Sequence, residues 1–327
     1  MLSERSGAPT SNSHAIGAFM KRRLKLTFYA ILALVGVWLL GDFIYSQVVA
    51  ARMRSWEATV DRDPAGVRIG CEDFAVGDGE RALLFVHGIN DSPACWREMA
   101  AVCAERGFHC RAMRLPGFAM PTEQYAAATR EQWLAAVGGE LRQLRREHTD
   151  VTLVGHSLGG AICVAYALDH PDEIDRIVLA APAIAVSSER SFLFSTARWH
   201  AIGNYLLFFT RVTESPFSID ARQITNADYP FQTPFAPRST VDETFALIDN
   251  NRGRGGDLQP PLMMILSKDD VVIDWRAAEE FARQANAELR FVEDTGHAMT
   301  IDHKWPELVE HIVEFSRAEP SGEQGEP

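Results

Sequence analysis

Metal-binding spacings are absent from this 327-residue chain: it has no H-E-x-x-H and no C-x-x-C pair, so a metal centre lacks ligands at the usual intervals. Cysteine is scarce and odd in number. Cys71, Cys95, Cys103, Cys110 and Cys163 cannot close a complete disulfide set. Cys103 and Cys110 could pair in an oxidising compartment, whereas Cys163 lies in an apolar helical run and reads as a buried thiol. Positive charge is also short, with 32 Lys and Arg against 44 Asp and Glu and a net charge of −12. Residues 1–25 hold five of those cations and one acid, Glu4, a local +4 that leaves −16 on the rest. An acidic body is repelled by phosphate backbones, which excludes a nucleic-acid partner. No internal repeat occurs, and no cofactor or metal is expected.

One long apolar run is present, and it comes first. Lys21, Arg22, Arg23 and Lys25 precede 16 uncharged residues, 26–41. At about 1.5 Å per residue these reach about 24 Å, short of a bilayer core of about 30 Å. Continuing to Tyr45 supplies 20 residues, with Asp42 near the far interface and Trp38 and Tyr45 suited to its aromatic belt. A buried core helix would not explain the basic cluster, which keeps the N-terminus cytoplasmic and the body on the outer side. The alternative is a signal peptide with a weak cleavage site at residues 48–50. Either reading exports the domain. The remainder belongs to a chain 46% hydrophobic and 23% charged, enough for one large core.

Chemistry enters at residues 151–168, VTLVGHSLGGAICVAYAL. A short β-rich run precedes Ser157 and a small-residue helical run follows it, so the serine falls at a strand-to-helix turn. Gly155 and Gly159 let neighbouring backbones approach where a Cβ would collide, and the hydroxyl is pushed out above the sheet edge. The backbone N–H of Leu158, in the first helical turn, can face a developing oxyanion. A second donor is expected after the strand in ALLFVHGIN, residues 82–90, where Gly88 lets the Ile89 N–H turn toward the serine. His87 reads as a structural hydrogen-bonding residue.

A serine nucleophile needs a base and an acid, here in the chain order Ser, Asp, His. The apolar strand 262–266 ends in Ser267-Lys268-Asp269-Asp270, and Asp269 is the preferred acid, 112 residues after Ser157. Asp270 is the runner-up and Asp274 lies on the same loop. The strand candidate 288–292 is followed by a loop and then His297, 28 residues after Asp269, where the base should stand. His14, His109, His148, His170, His200, His303 and His311 lie in polar or helical contexts and read as solvated or capping residues.

HGIN at 87–90, GHSLGG at 155–160, SKDDVV at 267–272 and TGHAM at 295–299 together resemble the α/β-hydrolase fold, in its carboxylesterase and monoacylglycerol-lipase-like (lysophospholipase-like) branch. The stretch HGINDSPACWREMAAVCAERGF also resembles the helix that follows the oxyanion loop there, and the likeness covers roughly residues 68–316. It implies a mostly parallel sheet flanked by helices, with the triad at the carboxyl ends of strands. The loop 114–122, RLPGFAMPT, departs from the family pattern, with Ala119 replacing a second glycine.

Between the two halves, residues 183–237 hold ten aromatics in 55 positions, including Phe192, Phe194, Trp199, Tyr205, Phe208, Phe209 and Phe217. An apolar helical lid over a serine site favours an acyl chain and resembles the lid of monoacylglycerol-lipase-like enzymes. The expected division is a cytoplasmic N-terminus 1–23, a membrane span 24–45, a linker helix 46–66, core halves 67–182 and 241–316, a lid 183–240 and a disordered tail 317–327. The expected activity is hydrolysis of lipid-like esters such as monoacylglycerol, lysophospholipid or phospholipid acyl bonds, with the membrane as a partner through the span. A short-chain esterase and an aminopeptidase using Glu189 or Glu214 are the alternatives. Ser157 excludes a dehalogenase, which needs a carboxylate at the turn, and a non-catalytic binding protein of this fold would fail to react with a serine-directed phosphonate. Intact-mass measurement of the membrane fraction is expected to find the whole chain; a species starting at Ala51 would show a cleaved signal instead.

Overall fold

Valine, leucine and isoleucine runs punctuated by glycine and proline turns build a seven-stranded sheet. The computed structural model describes residues 12–215 and 219–318; Phe217, residues 1–11 of the basic N-terminus and residues 319–327 of the tail lie outside the described residues. In chain order the elements are α1 (Asn12–Glu57), β1 (Phe74–Val76), β2 (Arg81–Val86), α2 (Arg97–Glu105), β3 (Phe108–Met113), α3 (Thr122–Ala127), α4 (Arg130–Glu147), β4 (Asp150–His156), α5 (Leu158–Asp169) and β5 (Arg176–Ala180). They continue as α6 (Thr196–Leu206), β6 (Val212–Glu214), β7 (Phe235–Pro237), α7 (Arg238–Asn251), β8 (Leu262–Leu266), α8 (Trp275–Gln284), β9 (Glu288–Phe291) and α9 (Trp305–Arg317).

The sheet order is β1-β3-β2-β4-β5-β8-β9, parallel throughout except for β1, which runs antiparallel to β3 at the edge. Strands β4, β5 and β8 are buried on both faces, which explains why they read as unbroken apolar runs rather than alternating ones. From β2 the chain steps one way to β3 and then reverses through β4, β5, β8 and β9. Right-handed crossovers therefore lay α4, α5 and α7 on one face and α2 with α9 on the other. Trp96, Trp133, Phe85 and Phe108 fill the core between sheet and helices, and the Trp133 indole N–H donates to the Pro116 carbonyl at 3.1 Å.

Two expectations change, and the cysteines follow the reading of buried thiols. The span and the linker helix are one uninterrupted helix, α1, which ends at Glu57 with no break near residue 45. It is the one helix among the described residues long and apolar enough to cross a membrane, and its most apolar window is only 6% buried against the rest of the chain. The lid is not purely helical: it carries α6 and the antiparallel pair β6 and β7, and α7, which starts within the expected lid, packs on α5 as a helix of the core. The five cysteines are buried free thiols, with Cys103 hydrogen-bonded to Cys110. That contact and burial push the Cys110 thiol far up.

Gly159 marks the tightest approach of α5 to the sheet, because a Cβ there would lie 2.2 Å from the Val86 carbonyl oxygen. Backbone on both sides leaves nothing to yield. Gly159→Ala is expected to cost about 3 kcal/mol and lower the melting temperature by roughly 5 °C or more. Gly139→Ala, on the exposed side of α4 with nothing within 4 Å, is expected to raise it slightly. Thermal unfolding of both variants checks the contrast.

Candidate active site

Ser157 sits between β4 and α5 with φ 53° and ψ −118°. A non-glycine residue holds this conformation at a cost of about 1–3 kcal/mol, so the surroundings must enforce it. They do so with backbone hydrogen bonds: the Ser157 N–H donates to the Ala180 carbonyl at 3.2 Å, and its carbonyl accepts from Ala161 and Ala183. A Cβ on Gly155 would meet the Cys163 sulfur at 2.6 Å and the Gly159 carbonyl oxygen at 2.7 Å, so that position must also be glycine. The turn thus aims a nearly buried hydroxyl over the carboxyl edge of the sheet.

Two further loops reach the same edge. After β9, His297 places Nε2 2.9 Å from Ser157 Oγ and Nδ1 2.8 Å from Asp270 Oδ2. With the proton on Nδ1 facing the carboxylate, Nε2 is left to accept the serine proton. Asp270, fully buried, also accepts from the N–H groups of Val272 and Ile273 at 2.8 and 2.9 Å.

Asp269, the acid preferred from sequence, is not at the histidine. Its side chain is 46% exposed and pairs with Arg222 at 3.0 Å. The cause is the turn after β8, where the Asp270 N–H bonds back to the Ser267 carbonyl and Asp269 faces outward at its crest. Asp270 then caps the N–H groups of Val272 and Ile273, and the usable signal was an aspartate preceding free N–H groups at i+2 and i+3.

Charge in this buried cluster is strongly biased. Burial alone would depress the His297 imidazole, but the charge and hydrogen bond of Asp270, helped by Asp220, outweigh it, and the histidine lies above its ordinary value of 6.5. Burial would likewise raise Asp270, yet His297 and the two backbone donors bring it below the usual carboxylate value. Each partner favours the other's charged form.

Of the further residues that complete the site, pattern reading singled out His87 alone, as a structural hydrogen-bonding residue. His156, in the elbow itself, is fully buried; its Nε2 lies 2.9 Å from the His297 carbonyl oxygen, and burial drives it down to about 3, so it stays neutral. His87 is neutral too, at about 4 through burial, with Nδ1 against the Gly88 carbonyl and Nε2 accepting from the Leu115 N–H. Asp91 is buried beside the serine loop, accepts from the Tyr229 hydroxyl at 2.8 Å, and is pushed up to about 6 by burial.

Asp220, from the cap, accepts the N–H of His297 at 2.9 Å and of Val271 at 3.2 Å. It pairs with Arg190, and its carbonyl takes the Ala298 N–H. Asp302 accepts from Arg222, Gln223 and Thr295. Burial would raise it, but these backbone donors and His303 hold it down at about 2. Asp91 directly follows the HGIN motif, whereas Asp220 and Asp302 lie in none.

Of the two residues expected to supply backbone donors, one lines the cavity and the other follows the serine directly. Ile89 lines the cavity above Ser157, a Cβ on Gly88 would come within 3.1 Å of Ser157 Cβ, and Leu158 opens α5 directly after the serine. Among the described residues no backbone bond takes up the N–H of Ile89 or Leu158. The cavity measures about 210 Å³ and is lined from the cap side by Arg190, Ile219, Asp220 and Gln232. A second cavity of about 310 Å³, walled by Trp56 and Arg68, shares Asn90, Ser215 and Gln232 with it. The loop 114–122 contributes no lining residue to the serine cavity, and Ala119 keeps the positive φ of 57° that a glycine would take freely. Among the described residues no group of three or more His, Cys, Asp or Glu side chains could hold a metal ion.

A sequence profile of the alpha/beta hydrolase family matches residues 83–310. The chain is 23% identical over 252 residues to a thermostable monoacylglycerol lipase of Bacillus sp. (strain H-257), covering 75% of this chain and 94% of that one. It is 24% identical to a carboxylesterase of Bacillus subtilis (strain 168), covering 74% of this chain and 94% of that one. Among solved structures, the monoacylglycerol lipase of Paleococcus ferrophilus superposes with a TM-score of 0.63 at 18% identity, over 74% of this chain and 96% of its own. A soluble variant of monoglyceride lipase from Saccharomyces cerevisiae gives 0.63 at 14%, over 75% and 90%. These likenesses establish the fold.

The electrostatics separate the two neighbouring aspartates. In Asp270→Asn the burial of His297 remains while the opposing charge is gone, so its imidazole should titrate at lower pH than in the parent. Asp269→Asn should leave it within about 0.3 pH unit, since an exposed charge is screened. Histidine NMR titration of the three proteins reads the difference.

Proposed function

Because the chain belongs to the alpha/beta hydrolase family, we propose that it is a serine ester hydrolase working through an acyl-enzyme. The observation that carries this reading is the relay Ser157 Oγ, His297, Asp270, with contacts of 2.9 and 2.8 Å at a strained turn. Ser157 attacks the ester carbonyl while His297 takes its proton. The proton then passes to the leaving alcohol, and a water activated by the same imidazole releases the acyl group. Asp270 fixes the ring and stabilises its charged form; Asp269, paired with Arg222 on the surface, has no part in this step. The N–H groups of Ile89 and Leu158 hold the oxyanion, each worth about 100- to 1000-fold in rate.

The substrate we infer is a lipid-like ester, monoacylglycerol or lysophospholipid in kind. Relatives named monoacylglycerol lipase and carboxylesterase support an ester, and Ile89, Ile219 and Val272 in the cavity lining support an apolar acyl group. The serine cavity, about 210 Å³, is smaller than the ~300–1,000 Å³ of ordinary ligand pockets. A long chain therefore needs the adjoining space of about 310 Å³ behind Gln232 as well. An aminopeptidase is disfavoured because Glu214 is engaged by Arg52 and Glu189 does not line the cavity. Of the carboxylates that do line it, Asp91 is held by Tyr229 and Asp220 by Arg190.

Hydrolysis of p-nitrophenyl esters of increasing chain length by the full chain is expected to peak at medium or long acyl groups. Ser157→Ala should abolish turnover, Asp270→Asn lower kcat about 10,000-fold, and Asp269→Asn change it by no more than about threefold. The sign of the pH dependence follows from His297: only its neutral form accepts the serine proton, and its value is raised. Thus kcat/KM should fall as pH is lowered through a point above 6.5. Equal losses in the two aspartate variants would sink the relay as drawn.

A further inference from the structure

Asp42 is a carboxylate inside the apolar stretch of α1, where an unsatisfied charge would be costly in lipid. It is not unsatisfied. Its oxygens accept the N–H of Phe209 and the hydroxyl of Thr210, each at 2.6 Å, and both donors belong to the cap. Beside this contact the Phe43 ring meets Phe209 at 5.4 Å, and Phe209 meets Phe208 at 5.0 Å. Farther along α1, Arg52 pairs with Glu214 at 2.9 Å, so the cap chain from Phe209 to Glu214 follows the helix. Counted from Leu26 at about 1.5 Å per residue, Asp42 lies about 24 Å along a hydrocarbon core of about 30 Å. The cap therefore reaches the level at which the apolar part of α1 ends.

The cap surface next to this contact has a matching composition. No residue of α6 is buried, and Phe192, Leu193, Tyr205, Leu206 and Phe208 are exposed around it. Residues 191–211 contain no Asp or Glu in a chain that has 44, and Arg198 and Arg211 are their basic residues. An apolar face of this extent with a basic fringe, continuous with an apolar helix, suits the interface of a membrane bearing anionic headgroups.

We propose that the cap face from Phe192 to Phe209 rests in the surface of the bilayer that α1 crosses, and that Asp42 locks cap and span into one lipid-facing surface. The proposal rests on α1 being a retained span. Ester molecules would then reach the serine cavity from the bilayer beneath the cap rather than from bulk water.

The test uses the full chain in vesicles of mixed phosphatidylcholine and phosphatidylglycerol with brominated acyl chains. A fluorescent label goes on Leu193→Cys or, as reference, on Arg146→Cys at the opposite end of the molecule; the five native thiols are buried. Quenching at position 193 is expected to exceed that at 146 by about threefold or more, and Asp42→Ala is expected to shrink the difference. Equal quenching at the two positions overturns the proposal, as does a label at 193 shielded only when two copies associate. An unchanged difference in Asp42→Ala overturns the lock.

A second measurement compares Leu193→Glu/Phe208→Glu with the parent. Turnover of a vesicle-borne ester should drop about tenfold or more, while a water-soluble short ester is hydrolysed within about twofold of the parent rate. Equal losses on both substrates count against the surface. Quenching is read without turnover, so an inactive parent protein rejects the hydrolase assignment while the label contrast still decides the surface.

Discussion

The site depends on a backbone conformation that Ser157 cannot hold unaided. At φ 53° and ψ −118° the residue is strained, and the strain persists because glycines at 155 and 159 allow β2, β4 and α5 to close around it. That single turn sets three things together: the hydroxyl sits at the sheet edge, Leu158 opens a helix directly after it, and the serine carbonyl ties down the start of the cap at Ala183. Distances to His297 and Asp270 have meaning only because the turn is rigid.

Around the turn, the cap does more than cover. Its Asp220 bridges the loops that carry Asp270 and His297 by accepting N–H groups from Val271 and His297, and Asp302 binds cap residues Arg222 and Gln223 in return. Asp270, His297 and the cap are thereby one hydrogen-bonded unit. On its other side the cap is joined to α1 through Asp42 and Arg52. Polar contacts at its two ends thus tie the cap to the first helix and to His297.

Much of the fold was legible because it rests on local signals. Buried parallel strands appear as unbroken apolar runs, and the glycine spacing around Ser157 reflects close backbone approach that any sequence with this turn must permit. The lid's strands β6 and β7 were not legible: three residues each, with pairing partners more than twenty positions apart, they leave no periodicity to read. The division at residue 45 marks the end of an apolar run and not a helix-stopping residue, and α1 runs through it.

Order along the chain determined which residue types would meet, a serine at a strand-to-helix turn, a histidine after the last strand, and an aspartate after β8. Only the tertiary structure decided which aspartate. Asp269 and Asp270 are adjacent and chemically identical, and what separates them is the direction of the side chain at a turn, burying one against His297 and leaving the other with Arg222 in solvent. The same holds for His156, Asp91 and Asp220, whose partners are distant in sequence. Local pattern reports backbone geometry; long-range side-chain pairing is set only when the sheet, the loops and the cap close on one another.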